Sequence, residues 1–187
     1  MFVFWLACSG SPEPAVDQAP AVQPVPAPEE AAALAQAEAA AKGLGKALKN
    51  HLVKKLEEGG PAVGLQACSE DAIGLGALVA GTHRARVGRA SLRKRNPNND
   101  GPDWVGAWLQ EQGERPAEGV VGVHEVVDGT ARFLAPIPVG GECLVCHGSA
   151  LDDAVVAELA ARYPDDEATG YEVGDLRGAL WAEVTVR

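Results

Sequence analysis

The chain has 187 residues, 47% of them hydrophobic, and a formal net charge of −10 at pH 7. Its length suits one domain with appendages, and the acidic balance excludes nucleic acid as a partner, because phosphates need a basic surface. With only four Trp, two Tyr and three Phe, and with Phe2, Phe4 and Trp5 at the extreme N-terminus, the core must be built mostly from small aliphatics, which a large flat cofactor would help to fill.

Residues 1–8 read MFVFWLAC. Seven apolar residues before a cysteine resemble the end of a lipoprotein signal peptide, with Cys8 as the lipidated residue. A basic leading segment is missing and the apolar run is short, so the start of translation is expected upstream of Met1. The run is too short to span a bilayer. Residues 9–30 are rich in Pro and Ala with almost no bulky apolar side chain, the composition of an extended disordered linker. In polyproline II, at ~3 Å per residue, it would reach roughly 60–70 Å, enough to stand a domain off a membrane. The domain itself is expected over 31–187.

Within it, 31–58 is rich in helix formers, weakened by Gly43 and Gly45. Leu44, Leu48, Leu52 and Leu56 form one apolar stripe. Gly59-Gly60 ends that helix and Pro61 begins a second, to about residue 80. A strand is expected over 84–92 with Val87 inward, a loop over RNPNNDGPD (95–103), and a short helix over 103–112 carrying Trp104 and Trp108. Residues 120–139 read as a hairpin turning at Asp128-Gly129. A helix follows over 150–162, with a capping box opened by Ser149, and a last strand over 178–187. This order predicts an α+β fold with a small antiparallel sheet.

The chemistry is concentrated in Cys143-Leu-Val-Cys146-His147, the C-x-x-C-H attachment signature of c-type haem. Two thiols at i and i+3 can add to the two vinyl groups on one porphyrin edge, and the histidine after them is held under the iron. A chance occurrence is on the order of one in a thousand at ordinary Cys and His usage. A thioredoxin-like redox pair sits at a helix N-terminus in a βαβ context, whereas here the helix is expected after the motif. A zinc site of Cys143, Cys146, Cys68 and one His lacks a second ligand pair, and a disulfide leaves His147 unexplained. One covalent haem c is therefore expected, with His147 an iron ligand. Haem attachment of this kind takes place outside the cytoplasm, in agreement with the lipoprotein-like start. The expected location is the periplasmic side of a bacterial membrane, anchored by a lipid on Cys8.

Cys68 is the cysteine left over once lipid and haem are served. It is either an iron ligand or a buried small hydrophobe. His51, His83 and His124 are the other candidates for the second axial position, His83 foremost and His124 on an exposed strand face. Six of the 16 basic residues fall between Arg84 and Arg95. Arg89, Arg93 and Arg95 are candidates to bind the haem propionates, unless they only pair with local carboxylates. Asp175 and Arg177 read as a structural pair, and Asp165, Asp166 and Glu167 as a solvated acidic turn.

Four segments together resemble the PAS-like c-type haem domains found as stand-alone periplasmic proteins and as sensor regions of bacterial signalling proteins: LVKKLEEGGPAVGLQACSE (52–70), VGRASLRKRNPNNDGPDW (87–104), PIPVGGECLVCHG (136–148) and RYPDDEATGYEVGDLRGALW (162–181). The resemblance covers roughly 44–187. It implies a PAS-like sheet with helices around one haem, and an iron held by the motif histidine and a cysteine that matches Cys68. The Gly-rich Ile73-Gly-Leu-Gly76 departs from the pattern. The resemblance implies redox or small-ligand sensing passed to a partner protein, with a single-haem electron carrier as the alternative. An enzyme such as a peroxidase ranks lowest, because a Cys68 ligand would close the iron position that turnover needs.

Overall fold

The computed structural model describes residues 26–187. Cys8, the lipoprotein-like segment and most of the 9–30 stretch lie outside the described residues. Helix α1 spans Pro28–Glu70, so it begins within the stretch read as linker. Pro28 has its φ preset for the first turn, and the Glu30 carboxylate accepts the Ala27 N–H at 2.9 Å. Along its first half Ala33, Leu34, Ala37, Ala40, Ala41 and Leu44 are buried. Small side chains let this helix lie close on the sheet. Gly45 serves the same purpose, since a Cβ there would stand 2.6 Å from Leu180 Cδ1.

The expected break is a kink inside α1. Gly59 and Gly60 leave helical geometry, Gly60 at φ 72°, and Pro61 restarts the helix. The returning segment closes tightly, for a Cβ on Gly64 would meet Leu56 Cδ2 at 2.7 Å. The second helical segment ends at Glu70, and α2 runs separately over Ala72–His83, through the Gly-rich stretch, to a left-handed Arg84 at φ 47°.

The sheet is antiparallel with order β1-β4-β3-β2. Strand β1 is Arg86–Ala90, β2 Val123–Val127, β3 Thr130–Pro138 and β4 Leu176–Thr185. Asp128 and Gly129 both have positive φ, 49° and 69°, as a two-residue hairpin turn requires. Helix α3 occupies Asp103–Gln112, the expected range. Alternation along the strands sends Ala131, Ala182 and Val184 toward α1. Leu134, Ala179 and Trp181 point the other way, toward α3. The result is an α+β architecture with a helix on each face of one sheet.

After β3 come a single 3₁₀ turn, Gly141–Cys143, helix α4 over Leu144–His147 and helix α5 over Asp153–Arg162. The cap of α5 is Asp152, whose side chain accepts the Ala154 N–H at 2.9 Å, not the Ser149 box read from the sequence. Ser149 lies three residues too early, and an Asp immediately before the first helical residue competes better for the free N–H groups.

Two glycines make opposite demands. Gly178 has φ 152° where the β3–β4 register shifts, and a Cβ there would run into the Ala90 carbonyl oxygen. Gly74 in α2 faces open space. Gly178→Ala is expected to cost at least ~2 kcal/mol in urea denaturation, and Gly74→Ala to add about 0.5–1 kcal/mol. Equal effects of the two would contradict these packing assignments.

Candidate functional site

The segment after β3 is pinned before the motif begins. Val139 N–H donates to Asp175 O and Gly174 N–H to Val139 O, each at 2.9 Å. The Gly140 N–H reaches Cys143 Sγ at 3.3 Å. Residues 141–147 then coil as the 3₁₀ turn and α4, so the motif is itself helical. The sequence reading placed the helix after it; the turn forms earlier because Gly140 N–H and Cys143 Sγ close its first loop. The coil sets Cys143 and Cys146, three residues apart, on one face. A thioredoxin-like reading is disfavoured for another reason: α4 has four residues and follows an antiparallel strand, with no βαβ unit.

The following loop, 163–171, wraps back over the motif. Tyr171 N–H donates to His147 O and Gly170 N–H to Gly148 O, each at 2.9 Å. His147 Nδ1 lies 2.6 Å from the Ala168 carbonyl oxygen. A carbonyl only accepts, so Nδ1 carries the proton and Nε2 is left with its lone pair, the form in which imidazole binds a metal. The Tyr171 ring stands edge-on to His147 at 6.3 Å between centroids.

Arg95 ties both pieces together. Its Nη2 donates to Cys146 O at 2.5 Å and to Ala168 O at 3.3 Å, and its Nε to Asp166 Oδ2 at 3.0 Å. Both partners of this ion pair keep only 8% of their side-chain surface exposed. Asp166 is therefore a buried partner and not part of a solvated turn, because the loop folds inward over the motif. Arg93 donates to the carbonyls of Glu167 and Thr169 and lies over Tyr171 at 4.4 Å. Arg177 does not pair with Asp175. Its Nη1 donates to Ser91 Oγ at 2.6 Å and Arg93 O at 3.2 Å, and its guanidinium stacks on Tyr171 at 5.3 Å. The Asp175 carboxylate instead accepts the Glu172 N–H.

Cys68, on the helical segment after the kink, lines a cleft with Leu48, Leu52, Leu75, His51 and Arg89. Two leucines of the α1 stripe, Leu48 and Leu52, thus face this cleft. His51 is held there by Asp71, Nε2 to Oδ2 at 2.8 Å. His83 lies elsewhere: its ring sits by Gly43 and its carbonyl accepts from Gln36, at the far end of α2. His124 is on β2, edge-on to Phe133. Among the described residues no group of three or more His, Cys, Asp or Glu is arranged to hold a metal ion. Sequence reading missed the roles of Tyr171 and Arg177. The available signal was a lone arginine inside a strand that is otherwise apolar at Leu176, Ala179 and Leu180.

The sequence profile of the Tll0287-like family matches residues 26–185. The chain belongs to the Tll0287-like family. Among solved structures it is similar to the crystal structure of the cyanobacterial heme-protein Tll0287, with a TM-score of 0.59 and 23% identity over 86% of this chain and 97% of that one. At that identity the likeness is one of fold. No curated protein matches.

The electrostatics of the site are unusual for an acidic protein. Burial, then the positive charges of Arg177 and Arg95, push the His147 imidazole down to about 3, against the pull of its hydrogen bond to Ala168. Burial pushes the Cys68 thiol up, opposed by Arg89 and Arg95, and pushes Cys146 up, opposed by Arg95. Among the described residues Arg95 is paired with Asp166 and Arg93 lies 4.0 Å from Glu114, while Arg89 and Arg177 have no carboxylate partner.

A histidine whose folded value lies below its ordinary 6.5 stays neutral in the fold while the unfolded chain takes up a proton. Stability contributed by His147 is therefore present above about pH 6.5 and lost as pH falls toward about 3. In protein carrying no prosthetic group, urea unfolding across that window is expected to show a steeper acid loss for wild type than for His147→Asn. Parallel curves would mean that His147 protonates freely in the fold.

Proposed function

We propose that this protein carries one haem c, joined by thioether bonds to Cys143 and Cys146, with His147 and Cys68 as the two iron ligands. The observation that carries the reading is His147: it follows a helical C-x-x-C turn and its Nδ1 is committed to a buried carbonyl, so only Nε2 is left to bind. Three further features fit the group. Cys68 is near enough to Cys146 to help push that thiol up, after burial, which supports a role for the remaining cysteine at the same site. The uncompensated Arg89 suits a carboxylate of haem. The solved relative is described as a heme-protein. Such a group supplies a one-electron redox centre whose potential is tuned by its ligands and surroundings.

The chain's own residues define the use of that centre. Arg93 and Arg95, proposed from the sequence as propionate partners, bond to the 166–169 segment and hold the loop in place. Arg89, in the Cys68 cleft, is the better placed for the anionic groups. Cys68, holding the group as a thiolate, would favour its oxidised state, and protonation of the thiol would compete with that hold once the centre is reduced. Ligation that depends on redox state is a two-state element of the kind a sensor requires. We therefore read the protein as a redox or small-ligand sensor of PAS-like fold, exported and anchored through a lipid on Cys8 on the periplasmic side of a bacterial membrane. It would signal to a separate partner protein and not act as an enzyme.

The ferric optical and EPR spectra of wild type, Cys68→Ala, His51→Ala and His83→Ala test the ligand pair. A low-spin thiolate signature lost only in Cys68→Ala is expected. If Cys68→Ala leaves the spectrum unchanged and a histidine variant abolishes the low-spin signal, the pair is bis-histidine and the single-haem electron carrier becomes the better reading.

A further inference from the structure

We propose that Arg177 is a positioning residue that raises the reduction potential of the prosthetic group, by holding a fixed positive charge on the ring of Tyr171 where that ring meets His147. The inference rests on the haem reading above and deepens it.

The geometry is a stack of three side chains. His147 meets the edge of Tyr171 at 6.3 Å between ring centroids, and the Arg177 guanidinium lies over the same tyrosine at 5.3 Å. The backbone fixes the first pair, since Tyr171 N–H donates to His147 O. The guanidinium is fixed by neutral groups only, Ser91 Oγ and Arg93 O. Ser91 is itself buried and donates to the same Arg93 carbonyl, so the anchor is rigid. Arg93 lies closer to the tyrosine, at 4.4 Å, but Glu114 is 4.0 Å from it and offsets its field. Arg95 is neutralised by Asp166. Arg177 is thus an anchored charge with no carboxylate in ion-pair contact, seated on the ring that meets the ligand histidine, and burial limits its screening by salt.

A fixed positive charge disfavours the oxidised, more positive centre and favours the reduced one. The Cys68 thiolate acts in the opposite sense. With haem bound, the site would therefore set the effect of a donor thiolate against that of a fixed cation.

The test is the midpoint potential of the pigmented full-length protein, in wild type, Arg177→Gln, Arg177→Lys and Arg84→Gln. The glutamine keeps hydrogen bonds to Ser91 and Arg93 but carries no charge. It is expected to shift the oxidised-to-reduced equilibrium about tenfold toward oxidised, a fall of ~59 mV for one electron. Lysine should hold most of the wild-type value, and the exposed Arg84→Gln should leave it unmoved. If Arg177→Gln does not accumulate, Ser91→Ala carries the test: it keeps the charge but releases the anchor, and the potential should fall part of the way. An unmoved potential in pigmented Arg177→Gln or Ser91→Ala, or a fall in Arg177→Lys as large as in the glutamine variant, overturns the inference alone. Wild-type protein without covalent pigment overturns the haem reading and this inference with it.

Discussion

The carbonyl oxygen of Ala168 is the acceptor on which the site is organised. Ala168 is fully buried, and its oxygen takes hydrogen bonds from His147 Nδ1 and from Arg95 Nη2. One bond sets the tautomer of the imidazole. The other joins the loop to a guanidinium that also holds the Cys146 carbonyl and Asp166. The motif turn is only four helical residues long and would not hold its geometry alone. It does so because a separate loop folds over it and meets its buried polar groups, which would be costly to leave unpaired. Removing the Arg95–Asp166 pair from one side would strand a charge in the interior, a loss of roughly 3–5 kcal/mol.

The charge distribution follows from the same convergence. A chain with net charge −10 gathers Arg89, Arg95 and Arg177 around one histidine and one thiol. Among the described residues one carboxylate, Asp166, is paired with them. Such an excess of buried positive charge stabilises the fold poorly by itself, since burial already weakens the hold of Arg177 on its proton, and the neighbouring Arg95 and Arg89 add to that. It is suited instead to an anionic group and to a thiolate. The kink at Gly59-Gly60 brings Cys68 to this region, because it turns the end of α1 so that the cysteine faces a cleft shared with Arg89.

Much of the scaffold was legible because its signals are local. Gly59-Gly60-Pro61 marks a break that is a kink, Asp128-Gly129 can only be a tight turn, and the DWVGAWLQEQ run is a helix over its expected range. The C-x-x-C-H motif and the leftover Cys68 stand out in the sequence by spacing and count, and the fold brings Cys68 near Cys146. What was not legible is set by long-range closure. Asp166 reads as surface until the loop carrying it is folded inward onto Arg95, 71 residues away. Arg177 reads as Asp175's partner because the two are neighbours in sequence, yet the irregular backbone at Gly178 sends it to Ser91, 86 residues away. Glycine in a helix reads as weakness, but Gly45 is there because Leu180 leaves no room for a side chain.

Covalent attachment at the motif is the claim on which the functional reading stands, and peptide mapping addresses it directly. Trypsin cuts after Arg132 and Arg162, and the sequence between them holds Cys143 and Cys146 but not Cys68. Mass spectrometry of the digested protein is expected to find one haem on the 133–162 peptide, with both of its thiols consumed and the Cys68 thiol unmodified. A 133–162 peptide without haem, its two cysteines free or joined in a disulfide, would contradict it.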